Sequence, residues 1–205
     1  MDNAVALVQA YLHVNGYFTV AEYPVVEAVR RGGYRIATDL DILAFRFSGA
    51  ARVVPGKAGG EAGEEEMSVP DPELHCPTGE SDMLIGEVKE GRAKLNPSTR
   101  RRDVLSAVLT RFGCCPRTDI EQVVASLMQN GHVRTPMGHD VRIVVFGAVT
   151  GDAEKRHYQM ISLGHVVHFL QNYLRRNWPV LRHAQLKDPA FGFLATLEKA
   201  LNAAD

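Results

Sequence analysis

The sequence predicts an α/β fold: a mixed β-sheet core in the order α-β-β-β-α-β, flanked by helices, with a helical C-terminal extension. Three observations predict it. Residues 17–29 and 34–47 are rich in aromatic and β-branched residues and flank the turn "RRGG", which reads as an antiparallel hairpin. Residues 141–150, "VRIVVFGAVT", are apolar nearly throughout, as a central strand covered on both faces would be. Helical patterns precede and follow that strand, so helices are expected on the faces of a mixed sheet.

Each element has a local reason. Residues 3–13 carry Val5, Leu7, Val8 and Leu12 at helical spacing, with Asp2 or Asn3 as cap and Asn15-Gly16 as stop. Pro24 within the first strand marks an edge position or a bulge. Residues 48–81 are rich in Gly, Pro and Glu, with "GKAGGEAGEEE" at their middle, and read as a flexible insertion. Residues 82–90 form a third strand. Pro97-Ser98 is expected to open a helix over 99–112, with Arg100, Arg101 and Arg102 in its first turn and Gly113 at its end. Thr118 or Asp119 caps a helix that Asn130-Gly131 stops. A short strand over 157–163 and a helix over 164–177 follow. Asp188-Pro189 pairs a cap with proline at the first helical position, opening a last helix to about residue 202. The organisation is one core domain over 1–163 and a helical extension over 164–205 packed on it.

Composition narrows the function classes. The 205 residues are 45% hydrophobic and 23% charged, ordinary globular usage. No apolar run is long enough for a membrane span, and the first residues lack the basic region of a signal peptide. Net charge is −1, which argues against a dedicated basic nucleic-acid module but leaves room for an enzyme whose carboxylates hold a metal. Three cysteines make no disulfide framework, so reduced thiols in a cytoplasmic protein are expected. His75-Cys76 and Cys114-Cys115 lack the ligand spacing of a zinc knuckle.

The chemistry concentrates in "LIGEVKEGRAKLN", residues 84–96. Strand periodicity puts Glu87 and Lys89 on one face of an otherwise apolar strand. Buried charges need a partner or a metal. The preceding strand, "RIATDLDILAFRF", supplies one in Asp41, flanked by Leu40, Ile42 and Leu43. Its expected faces are Ile36, Thr38, Leu40, Ile42 and Ala44 against Ala37, Asp39, Asp41, Leu43 and Phe45. Asp41 and Glu87 on neighbouring strands, with the Val88 carbonyl between them, form a hard-oxygen set for Mg²⁺ or Mn²⁺. Lys89 beside them is placed to orient or deprotonate a water, or to stabilise charge developing on a phosphoryl group.

An aspartate, a variable gap and Glu-x-Lys on the next strand resembles the signature of the PD-(D/E)XK nuclease superfamily. "TDLDILAF" and "IGEVKEG" carry the resemblance, which spans about residues 3–150. It implies a restriction-endonuclease-like fold and metal-dependent phosphodiester hydrolysis of nucleic acid, with DNA endonuclease activity expected. Asp41 takes the place of the motif aspartate, and Glu87 and Lys89 take those of the Glu-x-Lys pair. The chain departs from the pattern in having Leu40, not proline, before Asp41. It also has no acid inside its first helix, so Glu22 is the nearest candidate accessory ligand. The alternative for Glu22 is an edge-strand glutamate facing water. Lys94, Arg100, Arg101 and Arg102 are the expected phosphate contacts, at a helix N-terminus that favours anions. A homodimer is one expected state, since many nucleases that cut both strands are dimers. The rival expectation is a catalytically inactive nuclease-fold binding or regulatory module, in which Lys89 forms a structural ion pair with the carboxylates.

Overall fold

The computed structural model describes residues 2–30, 32–50, 70–151, 157–181 and 187–202. The fold is α/β, built on a mixed six-stranded sheet. Its strands are β1 (Phe18–Ala28), β2 (Tyr34–Arg46), β3 (Ser81–Arg92), β4 (His132–Arg134), β5 (His139–Val149) and β6 (Gln159–Ser162). They lie in the order β1-β2-β3-β5-β4, and β6 also pairs with β5. β1, β2 and β3 run antiparallel in succession, β3 and β5 are parallel, and β5 pairs antiparallel with β4 and parallel with β6. The expected hairpin is therefore present, and Pro24 lies on the edge strand.

The helices are α1 (Asn3–Val14), α2 (Arg102–Phe112), α3 (Ile120–Asn130), α4 (Leu163–Arg176), α5 (Trp178–Leu181) and α6 (Pro189–Asn202). Alternation along β3 and β5 sends their side chains to two cores. Leu84, Val88, Val144 and Phe146 meet Tyr11 and Leu12 of α1, Leu170 and Leu174 of α4, and Phe191 and Leu194 of α6. Met83, Ile85, Val141, Ile143 and Val145 meet Leu105 and Leu109 of α2 with Val124 and Leu127 of α3. A sheet covered on both faces accounts for the unbroken apolar run of β5. The C-terminal helices share the first core with α1.

Three expectations change. α2 does not begin at residue 99. The Asn96 side chain accepts from Ser98 N (3.0 Å), and Thr99, Arg100 and Arg101 make three-residue turn bonds to Asn96, Pro97 and Ser98 carbonyls. Pro97-Ser98 marks this turn, and Arg101, in extended backbone, is the helix cap. The short β4 was not expected. And although 51–69 lies outside the described residues, 70–80 is not featureless: a 3-10 turn spans Pro72–Leu74, and Asp71 and Leu74 are buried. Asp71 accepts from Tyr11 OH and pairs with His165 Nε2, both at 2.6 Å, and its own N–H donates to Asn15 Oδ1. Nearby, buried Asp82 takes Arg142 Nε at 3.0 Å and Nη2 at 2.8 Å, and also accepts from Tyr17 OH. Arg142 Nη1 donates to the Leu74 carbonyl, which staples this segment to β5.

Candidate active site

β2 and β3 pair only as far as Ile42 and Gly86. A Cβ on Gly86 would collide with the Ile42 side chain, so glycine permits the close approach at this last pair. Beyond it the ladder opens, and a side chain replaces the missing backbone acceptor: Asp41 Oδ2 accepts from Val88 N at 2.7 Å. Across from Asp41 on β1 stands Glu22, between the Ala21–Ile42 and Tyr23–Leu40 pairs. Its φ of 52° is left-handed, a conformation that costs a non-glycine residue energy and clusters at functional sites. The irregularity also breaks the side-chain alternation of β2. Leu40 and Leu43 both pack in the α2–α3 core while Ile42 and Ala44 pack in the other. The expectation that Leu40 shares a face with Ile42 is thereby corrected.

Into this opening β3 delivers two charges from one face. Glu87 is 1% exposed, and Lys89 Nζ lies 2.5 Å from its Oε1 and 3.4 Å from Asp41 Oδ2. The two carboxylates thus share one ammonium and are no farther apart than the sum of those distances. Thr99, fully buried, donates its hydroxyl to Glu87 Oε2 at 2.8 Å. Burial pushes the Glu87 carboxyl above its usual range, against the pull of Lys89 and Thr99. Burial disfavours the Lys89 charge too, but the Glu87 hydrogen bond and the two carboxylates outweigh it, and its pKa is raised. Val88 directs its N–H toward β2, and in an extended strand the C=O of a residue faces the same edge, so this carbonyl faces the gap. The site sits toward the carboxyl ends of parallel β3 and β5, where open α/β sheets leave a crevice.

Comparison of the chain with protein-family models, with curated proteins and with solved structures finds no match.

Asp41, Glu87, Val88 and Lys89 therefore converge. Glu22 is exposed on the neighbouring strand. The basic residues divide. Arg101 pairs with Glu27 (2.5 Å) and Asp103, and Arg100 Nη2 donates to the Met128 carbonyl (3.1 Å), so both have partners within the chain. Lys94 and Arg102 are exposed. His75-Cys76 does not join Cys114-Cys115: Cys76 packs on the α1 core, the other two in the α2–α3 core. Among the described residues no three His, Cys, Asp or Glu side chains form a metal-holding group. The groups that could hold a cation are the Asp41 and Glu87 carboxylates and the Val88 carbonyl, hard oxygen donors of the kind that suit Mg²⁺. Thr99 is the residue that sequence reasoning missed; its only signal was a polar side chain after the Glu-x-Lys strand, in a stretch that also reads as a helix start.

Proposed function

We propose that the protein is a metal-dependent phosphodiesterase acting on nucleic acid, a DNA endonuclease of the PD-(D/E)XK type with a restriction-endonuclease-like core. The observation that carries this reading is the convergence of Asp41, Glu87 and Lys89 at the opening between β2 and β3. Asp41, Glu87 and the Val88 carbonyl are the residues that would hold Mg²⁺ or Mn²⁺. When bound, such an ion polarises a phosphoryl oxygen and lowers the pKa of a bound water. Lys89, kept protonated by Glu87, donates to anionic oxygen as charge develops at phosphorus. That protonation favours the electrostatic role over the general-base role in the metal-free protein. Lys94 and Arg102 supply exposed cations for the phosphate backbone.

The test is cleavage of labelled oligonucleotides with Mg²⁺ or Mn²⁺, together with calorimetric Mn²⁺ titration. Asp41→Ala and Glu87→Ala are expected to lower cleavage at least about 100-fold while circular dichroism stays unchanged. A wild-type protein that neither cuts nucleic acid nor takes up Mn²⁺ would sink the reading. That outcome would favour the second reading, an inactive nuclease-fold binding or regulatory module. The observation on its side is that Lys89 already bridges both carboxylates, a pairing that needs no metal.

A further inference from the structure

We propose that Thr99 is a positioning residue of this site: its buried hydroxyl, set by the Asn96 turn, fixes the Glu87 carboxylate so that Oε1 stays turned toward Lys89 and Asp41. The inference rests on the phosphodiesterase reading only for what Glu87 then does.

A glutamate carboxylate turns freely about its last torsion, which is broad and two-fold. Glu87 has each oxygen assigned instead. Oε1 faces Lys89 Nζ and Oε2 accepts from Thr99. Lys89 alone would be a weak restraint, because its side chain is 39% exposed and long. Thr99 is the rigid partner. It is fully buried and β-branched, with few χ1 choices. Its backbone is held too: Thr99 N donates to the Asn96 carbonyl at 3.0 Å, and Ser98 N donates to Asn96 Oδ1. The segment leading there is anchored in turn. Ala93 and Leu95 are buried, and Ala93 N donates to the Val149 carbonyl at 2.8 Å. The loop after β3 is thus a bracket that returns a hydroxyl to the carboxylate twelve residues earlier in the chain.

Thr99→Val keeps the shape and removes the donor, while Thr99→Ser keeps the donor. Both are measured as full-length protein by Mn²⁺ calorimetry, thermal melting and oligonucleotide kinetics. The valine variant is expected to bind Mn²⁺ at least about 10-fold more weakly and to lose kcat, with KM for the oligonucleotide unchanged. Serine is expected to restore both. Mn²⁺ affinity within about twofold of wild type in the valine variant overturns the proposal, as does failure of serine to restore it. If the valine variant does not fold, Asn96→Ala decides: weakened Mn²⁺ binding supports the bracket and unchanged binding overturns it. If wild-type protein takes up no Mn²⁺, the metal reading fails on its own. Positioning is then read from a crystal structure of Thr99→Val, where Glu87 turned away from Lys89 supports it and Glu87 in place refutes it.

Discussion

Gly147→Ala should damage the site without touching it. Gly147 pairs with Lys89 across the β3–β5 ladder, and a Cβ there would lie 2.6 Å from Ala93 N, 2.7 Å from Ala93 Cα and 2.9 Å from Ala93 Cβ. Ordinary contact begins near 3.4 Å, so the segment after β3 must shift by about 0.8 Å. That segment is pinned to Val149 by a 2.8 Å hydrogen bond and leads into the Asn96 turn, so the shift reaches Thr99. Overpacking of this kind costs about 1–3 kcal/mol. At about 2–4 °C per kcal/mol for a chain of this size, melting should fall by roughly 2–12 °C. Displacements near 1 Å can lower catalytic rates by up to about 100-fold, so cleavage or Mn²⁺ uptake should fall further than stability alone explains. Calorimetry and single-turnover cleavage of purified Gly147→Ala read both quantities. Adding Ala93→Gly should not rescue it, because the nearest clashes are with backbone atoms. Melting within about 1 °C of wild type, with unchanged Mn²⁺ affinity, would refute the reasoning.

Two further predictions concern the buried polar groups. Asp82→Ala leaves Arg142 buried with its main counter-charge removed and should cost about 3–5 kcal/mol in urea unfolding; a loss under about 1 kcal/mol would show that the pair is dispensable. Alkaline pH should erode stability. Burial and the neighbouring carboxylates Asp71 and Asp82 raise the Tyr11 and Tyr17 hydroxyls, and burial beside Cys115 pushes the Cys114 thiol up to about 12. The folded chain keeps protons that the unfolded chain releases near pH 8.5–10, so stability is complete below that window and falls as pH rises through it. Each tyrosine contributes a slope that approaches about 1.4 kcal/mol per pH unit above pH ~10, where the unfolded hydroxyl is ionised and the folded one is not. Melting curves from pH 8 upward should show this slope, and Tyr17→Phe should reduce it; a flat profile would contradict it.

The strands other than β4 were legible because their signals are local. Alternation, the "RRGG" turn and the apolar run of β5 need no knowledge of tertiary contacts. Asp41, Glu87 and Lys89 stood out for a related reason: a charge inside an apolar strand has few destinations. Thr99 carried no such mark, since one threonine after a proline is an ordinary helix start and its role depends on a carboxylate in another element. The same context misplaced the beginning of α2, where side-chain bonds to the Asn96 turn override the proline signal. Face assignment failed at Leu40 because period two holds only while the ladder is regular, and the left-handed backbone of Glu22 cannot be read from a glutamate in a strand-like run. The in-chain partners of Arg100 and Arg101, the Met128 carbonyl and Glu27, are likewise long-range contacts that the sequence does not show.

β1 lies at the open margin of the sheet and exposes Phe18, Val20 and Val26, the ingredients of a strand that could recruit another chain. Two features interrupt its free row of amides. Glu22 turns out of the extended conformation, and Pro24, two residues on, has no N–H to offer. A foreign strand would find only short runs on either side of this break. The distortion that stands opposite Asp41 therefore also shields an apolar margin from templating aggregation.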